Sequence, residues 1–182
     1  MYKRQVLYGF LGLYPTFLVS QLHLSTPQSA LALSFVGFGG LAGLIGGWIG
    51  DRFNQRNLLI GALVAMAVVG ILIYQVQATL GWQCVFALLM GVFGTGVLFP
   101  NANSAIQRAV RPNQVGRAAG LFVTSYYGSA ALSGLLFGAL VAGIGWRGAG
   151  LVQVTMLSLV AAVVLVAVRP AQFNNAVQQP AH

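Results

Sequence analysis

The chain has 182 residues, 58% hydrophobic and 5% charged, with nine Lys and Arg, a formal net charge of +8 and a single acidic side chain, Asp51. A soluble domain carries about 25% charged residues, so this composition cannot furnish a water-exposed surface. The basic residues lie in short stretches between apolar runs, not on a polar domain, which excludes a nucleic-acid-binding module.

Taken in chain order, six uncharged segments emerge, at about 6–22, 30–49, 58–76, 82–106, 118–144 and 151–168. Each is long enough, or nearly so, to cross a hydrocarbon core about 30 Å thick, which takes roughly 20 helical residues. All six are expected to be helices, because an open strand in lipid leaves its backbone polar groups unpaired. The expected fold class is an all-α membrane protein with six transmembrane helices over 6–168, the lipid bilayer being its first partner.

The first segment carries Pro15 between Tyr14 and Thr16. The second is rich in glycine at four-residue spacing, Gly39, Gly43 and Gly47 with Gly46 and Gly50 beside them, a spacing that lets helix backbones approach closely in lipid. It runs into "GGWIGDRFNQR", which holds the lone acid. The fourth segment contains Cys84, alone and therefore excluded from any internal disulfide or metal cluster, and then Pro100 followed by Asn101, Asn103 and Ser104. The fifth carries Thr124, Ser125, Tyr126 and Tyr127, with Gly134 and Gly138 further on. After the sixth, residues 169–182 are polar with two prolines, a composition that predicts a disordered tail.

Positive charge sets the orientation, since cytoplasmic loops are enriched in Lys and Arg. Lys3, Arg4, Arg52, Arg56, Arg108, Arg111, Arg117 and Arg169 fall on one side and only Arg147 on the other. Both ends are therefore expected in the cytoplasm. A shift of 88 positions aligns Ala30 with Ala118, Leu33 with Leu121, Gly40 with Gly128, Ala42 with Ala130, Leu44 with Leu132, Gly46 with Gly134 and Gly50 with Gly138. The second and fifth segments cross in opposite senses, so the pattern suggests two inverted three-helix repeats.

A carboxylate at a membrane boundary is tolerated beside an Arg or at a helix N-terminus, where the helix dipole contributes about 0.3–1 kcal/mol. A contact of this kind, broken when a neighbouring helix slides, latches one conformation. The bland alternative is a solvated ion pair that only fixes topology.

Gly47, Asp51, Arg52 and Arg56 stand in the pattern Gly-x-x-x-Asp-Arg-x-x-x-Arg. The loop resembles the signature of the major facilitator superfamily, Gly-x-x-x-Asp-Arg-x-Gly-x-Arg, with Asn54 in place of the usual glycine. Asn is the residue next most able to adopt a left-handed backbone. "RPNQVGRAAGLF" and "GWRGA" resemble that superfamily's entries into the last two helices of a six-helix half. The resemblance implies transport of a small solute by alternating access, with Gly47, Asp51, Arg52 and Arg56 as the conformational latch. It also implies a central cavity lined by the first and fourth helices, which singles out Tyr14 and Asn101, with Thr16, Asn103, Ser104 and Tyr126 as further solute-facing candidates.

Members of the family usually have twelve helices in two halves, so this chain is expected to be the C-terminal half. The missing N-terminal half is then its partner, and supplies the helix end that Asp51 engages. The alternative is a natural six-helix protein acting as a homodimeric carrier or a structural subunit. Residues 1–5, "MYKRQ", are what a sequencing-library transposon end, GTGTATAAGAGACAG, encodes when its GTG is taken as a start codon, and they hold the only Lys. They are expected to be adaptor-derived. Setting them aside leaves six cytoplasmic charges against one.

No Asp, Glu, Lys, Arg or His lies mid-segment, so coupling to protons through an intramembrane titratable group is expected to reside in the other half. His23 and His182 lie in a loop and the tail, and there is one Asp, so neither a Ser–His nor a paired-Asp protease constellation is present. No enzyme activity, cofactor, metal or nucleic-acid partner is expected, and the location is a bacterial inner membrane.

Overall fold

The computed structural model describes the backbone of residues 5–76 and 79–167, with side chains from residue 13 onward. The expected tail and four of the five expected adaptor residues lie outside the described residues. Every regular element among these residues is helical. Helix α1 spans Gln5–Leu22. It ends at His23, whose φ of 54° places it in the left-handed region, and Leu24 N–H closes on the Leu18 carbonyl at 3.2 Å.

Helix α2, Thr26–Gly40, begins four residues before the expected start. The reason is local. Ser25 and Gln28 form a reciprocal capping box, with Ser25 N–H donating to Gln28 Oε1 at 2.9 Å and Gln28 N–H to Ser25 Oγ at 3.4 Å, and Pro27 sits in the first turn where no N–H is needed. A turn at residues 41–42 leads into α3, Gly43–Arg52. Asn54 then starts α4, Gln55–Gln75. Its φ is −60°, so it does not take the left-handed conformation that replacing a glycine suggests; its Oδ1 instead accepts the Arg56 N–H at 3.1 Å as an N-cap.

Helices α5 (Leu80–Gly91) and α6 (Phe99–Arg108) are joined without a break by a π-helical segment, Val92–Leu98. After a short 3₁₀ turn at Pro112–Gln114, α7 runs from Val115 to Ala149, a second π-helical segment from Gly150 to Met156, and α8 from Leu157 to Ala167. Among the described residues, four apolar helical runs are long enough to cross a membrane: Thr26–Arg52, Gln55–Gln75, Leu80–Arg108 and Pro112–Ala167.

The last two expected segments fall on the two limbs of one 56-residue helical run, Pro112–Ala167, with a kink between them. A straight helix of that length would extend roughly 84 Å, but the chain turns at Gly145, where φ is 73° and ψ 174°. Beyond it, Gln153 Nε2 donates to the Ser133 carbonyl at 2.8 Å. Residues twenty apart in a straight helix would be about 30 Å distant, so the run folds back on itself.

Helix α4 is central, touching α5, α6, α8 and both π-helical segments. Phe17, Tyr74, Phe137 and Trp146 form an aromatic knot between α1, α4 and the bend, with ring centroids 4.8–6.1 Å apart. On the other side α2 and α3 pack against α5 and the first π-helical segment through glycine. A Cβ on Gly39 would meet the Leu88 carbonyl, one on Gly46 the Gly96 carbonyl, and one on Gly91 the Val36 carbonyl. Gly47, Gly134 and Gly138 have open space instead. The glycines aligned by the 88-residue shift therefore do not pack alike within the chain.

Candidate functional site

The signature loop joins α3 to α4, and its charged side chains reach three separate destinations. Asp51 Oδ1 pairs with Arg108 Nη2 at 2.6 Å, across from the last turn of α3 to the last residue of α6. Asp51 was expected to engage a helix end outside this chain; Arg108 meets it from within. The side chains are 48% exposed at Arg108 and 66% at Asp51. An ion pair so open to its surroundings contributes about 0–1 kcal/mol, little for global stability yet enough to bias two conformations of similar energy.

Arg52, one residue on, turns the other way and lies 4.3 Å from the ring centroid of Trp48, one turn back on the same helix. Arg56 reaches across to α8, its Nε donating to the Leu165 carbonyl at 3.0 Å and its Nη2 to the Val166 carbonyl. Hydrogen bonds from a charged donor are the stronger kind, so Arg56 fastens the start of α4 to α8. Gly47 meets nothing within 4 Å of a built Cβ. The four residues matched to one motif thus make no single cluster.

The solute-facing candidates separate into two groups. Tyr14 is fully buried, and its hydroxyl lies 3.1 Å from both the backbone oxygen and Oε1 of Gln83. Gln83 in turn donates to the Ile73 carbonyl at 3.4 Å, tying α1, α4 and α5 together. Asn101 is 2% exposed and its amide nitrogen donates to the carbonyls of Gly46 at 2.9 Å and Val97 at 2.8 Å. Both of these residues, favoured as cavity-lining, hold helices together here.

Thr16, Thr124, Ser125 and Tyr127 are exposed, Asn103 and Ser104 partly so. Asn103 Oδ1 accepts from Gln107 at 3.1 Å. Tyr126 is buried in an aromatic group with Phe99 at 5.0 Å and Phe122 at 6.4 Å, and exposed Tyr127 stands edge-on to it at 5.5 Å. Tyr14→Phe, which keeps the ring and removes the hydroxyl, is expected to lower stability by about 1 kcal/mol, read by thermal unfolding in detergent; unchanged stability would mean that the hydroxyl does not hold α1 to α5.

Arg108 and Gln83 were not picked out from sequence. Arg108 was legible only as one of several cytoplasmic charges, and nothing in its spacing from Asp51, 57 positions away, marks the pair.

Comparison with known proteins adds a separate line of observation. The family model described as Major Facilitator Superfamily matches residues 6–181. The multidrug resistance protein B homolog of Mycobacterium tuberculosis, in strains CDC 1551 and H37Rv, is 32% identical over 136 residues, which cover 71% of this chain and 24% of that protein. The phosphoglycerate transporter protein of Salmonella typhimurium is 27% identical over 149 residues, covering 79% of this chain and 32% of that protein. The chain therefore spans about a quarter to a third of the length of these curated relatives. No solved structure matches it.

Proposed function

Because this chain belongs to the major facilitator superfamily, we propose that it is the C-terminal six-helix half of a bacterial inner-membrane transporter that moves a small solute by alternating access. The relatives cover it with a fraction of their length, and one of them is named as a transporter, which supports the reading of a half with a missing N-terminal partner. Six crossings follow if α1, the three shorter apolar runs and the two limbs on either side of Gly145 each span once. The identities between the second and fifth crossings support two inverted three-helix repeats within the half. The positive-inside distribution supports a cytoplasmic location for both ends.

In this reading the halves rock about a midplane site, and the cytoplasmic ends of α3 and α6 separate or close as they do so. The observation that carries the reading is the Asp51–Arg108 ion pair at 2.6 Å, which unites the signature loop with the end of the neighbouring crossing. It acts as a latch, with Arg52 on Trp48 and Arg56 on α8 holding the loop in place. Thr16, Asn103, Ser104 and Tyr126 remain the proposed solute-facing residues.

Asp51→Asn in the full-length transporter removes the charge and keeps the shape. Transport is expected to fall about tenfold while the amount of protein inserted in the membrane stays constant. Equal transport by the variant and the parent would reduce the pair to a topology marker.

A further inference from the structure

Three elements that carry the latch converge on one buried amide beneath it. Asn101 Nδ2 donates to the Gly46 carbonyl of α3 at 2.9 Å and to the Val97 carbonyl of the first π-helical segment at 2.8 Å. Its backbone oxygen accepts from Gln55 Nε2, at the start of α4, at 2.8 Å. The notch that admits it exists because residue 50 is glycine: a Cβ there would fall on Asn101 Oδ1. The two helices that the signature loop joins, α3 at Gly46 and α4 at its first residue, are thereby fastened to one residue of α6.

Asn101 and Arg108 are seven positions apart, two turns and about 10.5 Å along one face of α6. The α6 helix leaves a π-helical segment, in which the Phe99 N–H bonds to the Gly94 carbonyl five residues back. A change of one residue in the phase of that segment would rotate α6 by about 100° and carry Arg108 off Asp51. Nothing about the exposed ion pair itself prevents such a rotation; a buried amide bonded both to α3 and to the π-helical segment does.

We propose that Asn101 is a positioning residue, which fixes the rotation of α6 on α3 so that Arg108 meets Asp51. This rests on the latch reading of the ion pair and assigns Asn101 to the latch instead of the solute cavity. Fastened to Gly46 and Val97, it works on the chemistry of transport only through Arg108.

The test is a double-mutant cycle in the full-length transporter, with D51N, N101D and the double variant measured for kcat and KM of transport and for inserted protein. N101D keeps the side-chain size and removes both amide hydrogen bonds. Each single change is expected to lower kcat about tenfold with KM unchanged, and the double variant to be no worse than the poorer single, because residues acting as one unit are non-additive. Losses that multiply to about a hundredfold, or a KM raised by N101D alone, would overturn the positioning role and leave the latch standing. A D51N variant with full transport would remove the latch itself. If N101D does not insert, N101A takes its place in the cycle, and failure of both to insert would make Asn101 a folding residue and overturn the proposal.

Discussion

Replacing Gly145 with alanine is expected to cost about 1–3 kcal/mol of stability and to weaken the fold-back of the second π-helical segment onto α7. The φ of 73° and ψ of 174° at this position lie in a region of backbone space that is essentially confined to glycine, because a Cβ there collides with the residue's own peptide groups. The cost is not one of crowding, since a built Cβ meets no neighbour within 4 Å. The conformation is held by what lies on either side of it: Trp146 packs against Phe17 and Phe137 at 5.9 and 6.1 Å, and Gln153 bonds to Ser133. Alanine at 145 opposes those contacts with backbone strain. Thermal unfolding of the purified protein in detergent measures the effect, and Gly143→Ala is the control. Gly143 is helical with equally open space and no positive φ, so alanine there is expected to be neutral or to stabilise by up to about 1 kcal/mol.

An effect of similar or larger size is expected at Gly91. A Cβ there would overlap the Val36 carbonyl, and the next two atoms it meets are also Val36 backbone. A flexible side chain can swing away from an intruding methyl group; a helix backbone cannot. Gly91→Ala must therefore separate α2 from α5, and overpacking of this kind costs about 1–3 kcal/mol or more. Gly39→Ala and Gly46→Ala press on the same seam from the other side, against the Leu88 and Gly96 carbonyls. Gly134→Ala and Gly138→Ala, which the 88-residue shift aligns with Gly46 and Gly50, are expected to leave the stability of this chain within about 0.5 kcal/mol, as a Cβ built at either meets no neighbour within 4 Å. Parallel unfolding measurements on the five variants compare the two seams directly.

Much of this architecture is legible from periodicity and composition because lipid leaves so few choices. Helices were the only open option, and the apolar runs place most of them to within a few residues. The start of α2 was misplaced because the polar stretch "STPQ" looks like loop, although Ser25 and Gln28 hold a capping box that begins a helix there. The two π-helical segments were not legible at all: "VFGTGVL" and "GLVQVTM" are apolar stretches like any other in this chain, and their phase is set by packing against α4 and, for the first, α3.

The site was legible in its motif and not in its partners. Asp51 stood out as the single acid in a family-like loop, but a charge pair between helix ends 57 residues apart has no local signature. Tyr14 and Asn101 stand out because the resemblance implies a central cavity lined by the first and fourth helices. What turns them inward is supplied from far along the chain, by Gln83 for Tyr14 and by the notch at Gly46 and Gly50 for Asn101. A polar side chain in lipid is satisfied wherever a partner lies within reach, and sequence does not say which helix will offer one.

In the proposed transporter the Asp51–Arg108 ion pair controls transport. Charge exchange tests it most directly: D51R, R108D and the exchanged pair D51R/R108D are compared for solute uptake or efflux by the full-length transporter at equal amounts of inserted protein. Each single reversal sets like charges against one another at the ends of α3 and α6, and is expected to lower transport about tenfold or more, whereas the exchanged pair is expected to recover a large part of it. Exchanged protein no more active than the singles, or singles as active as the parent, would contradict the account.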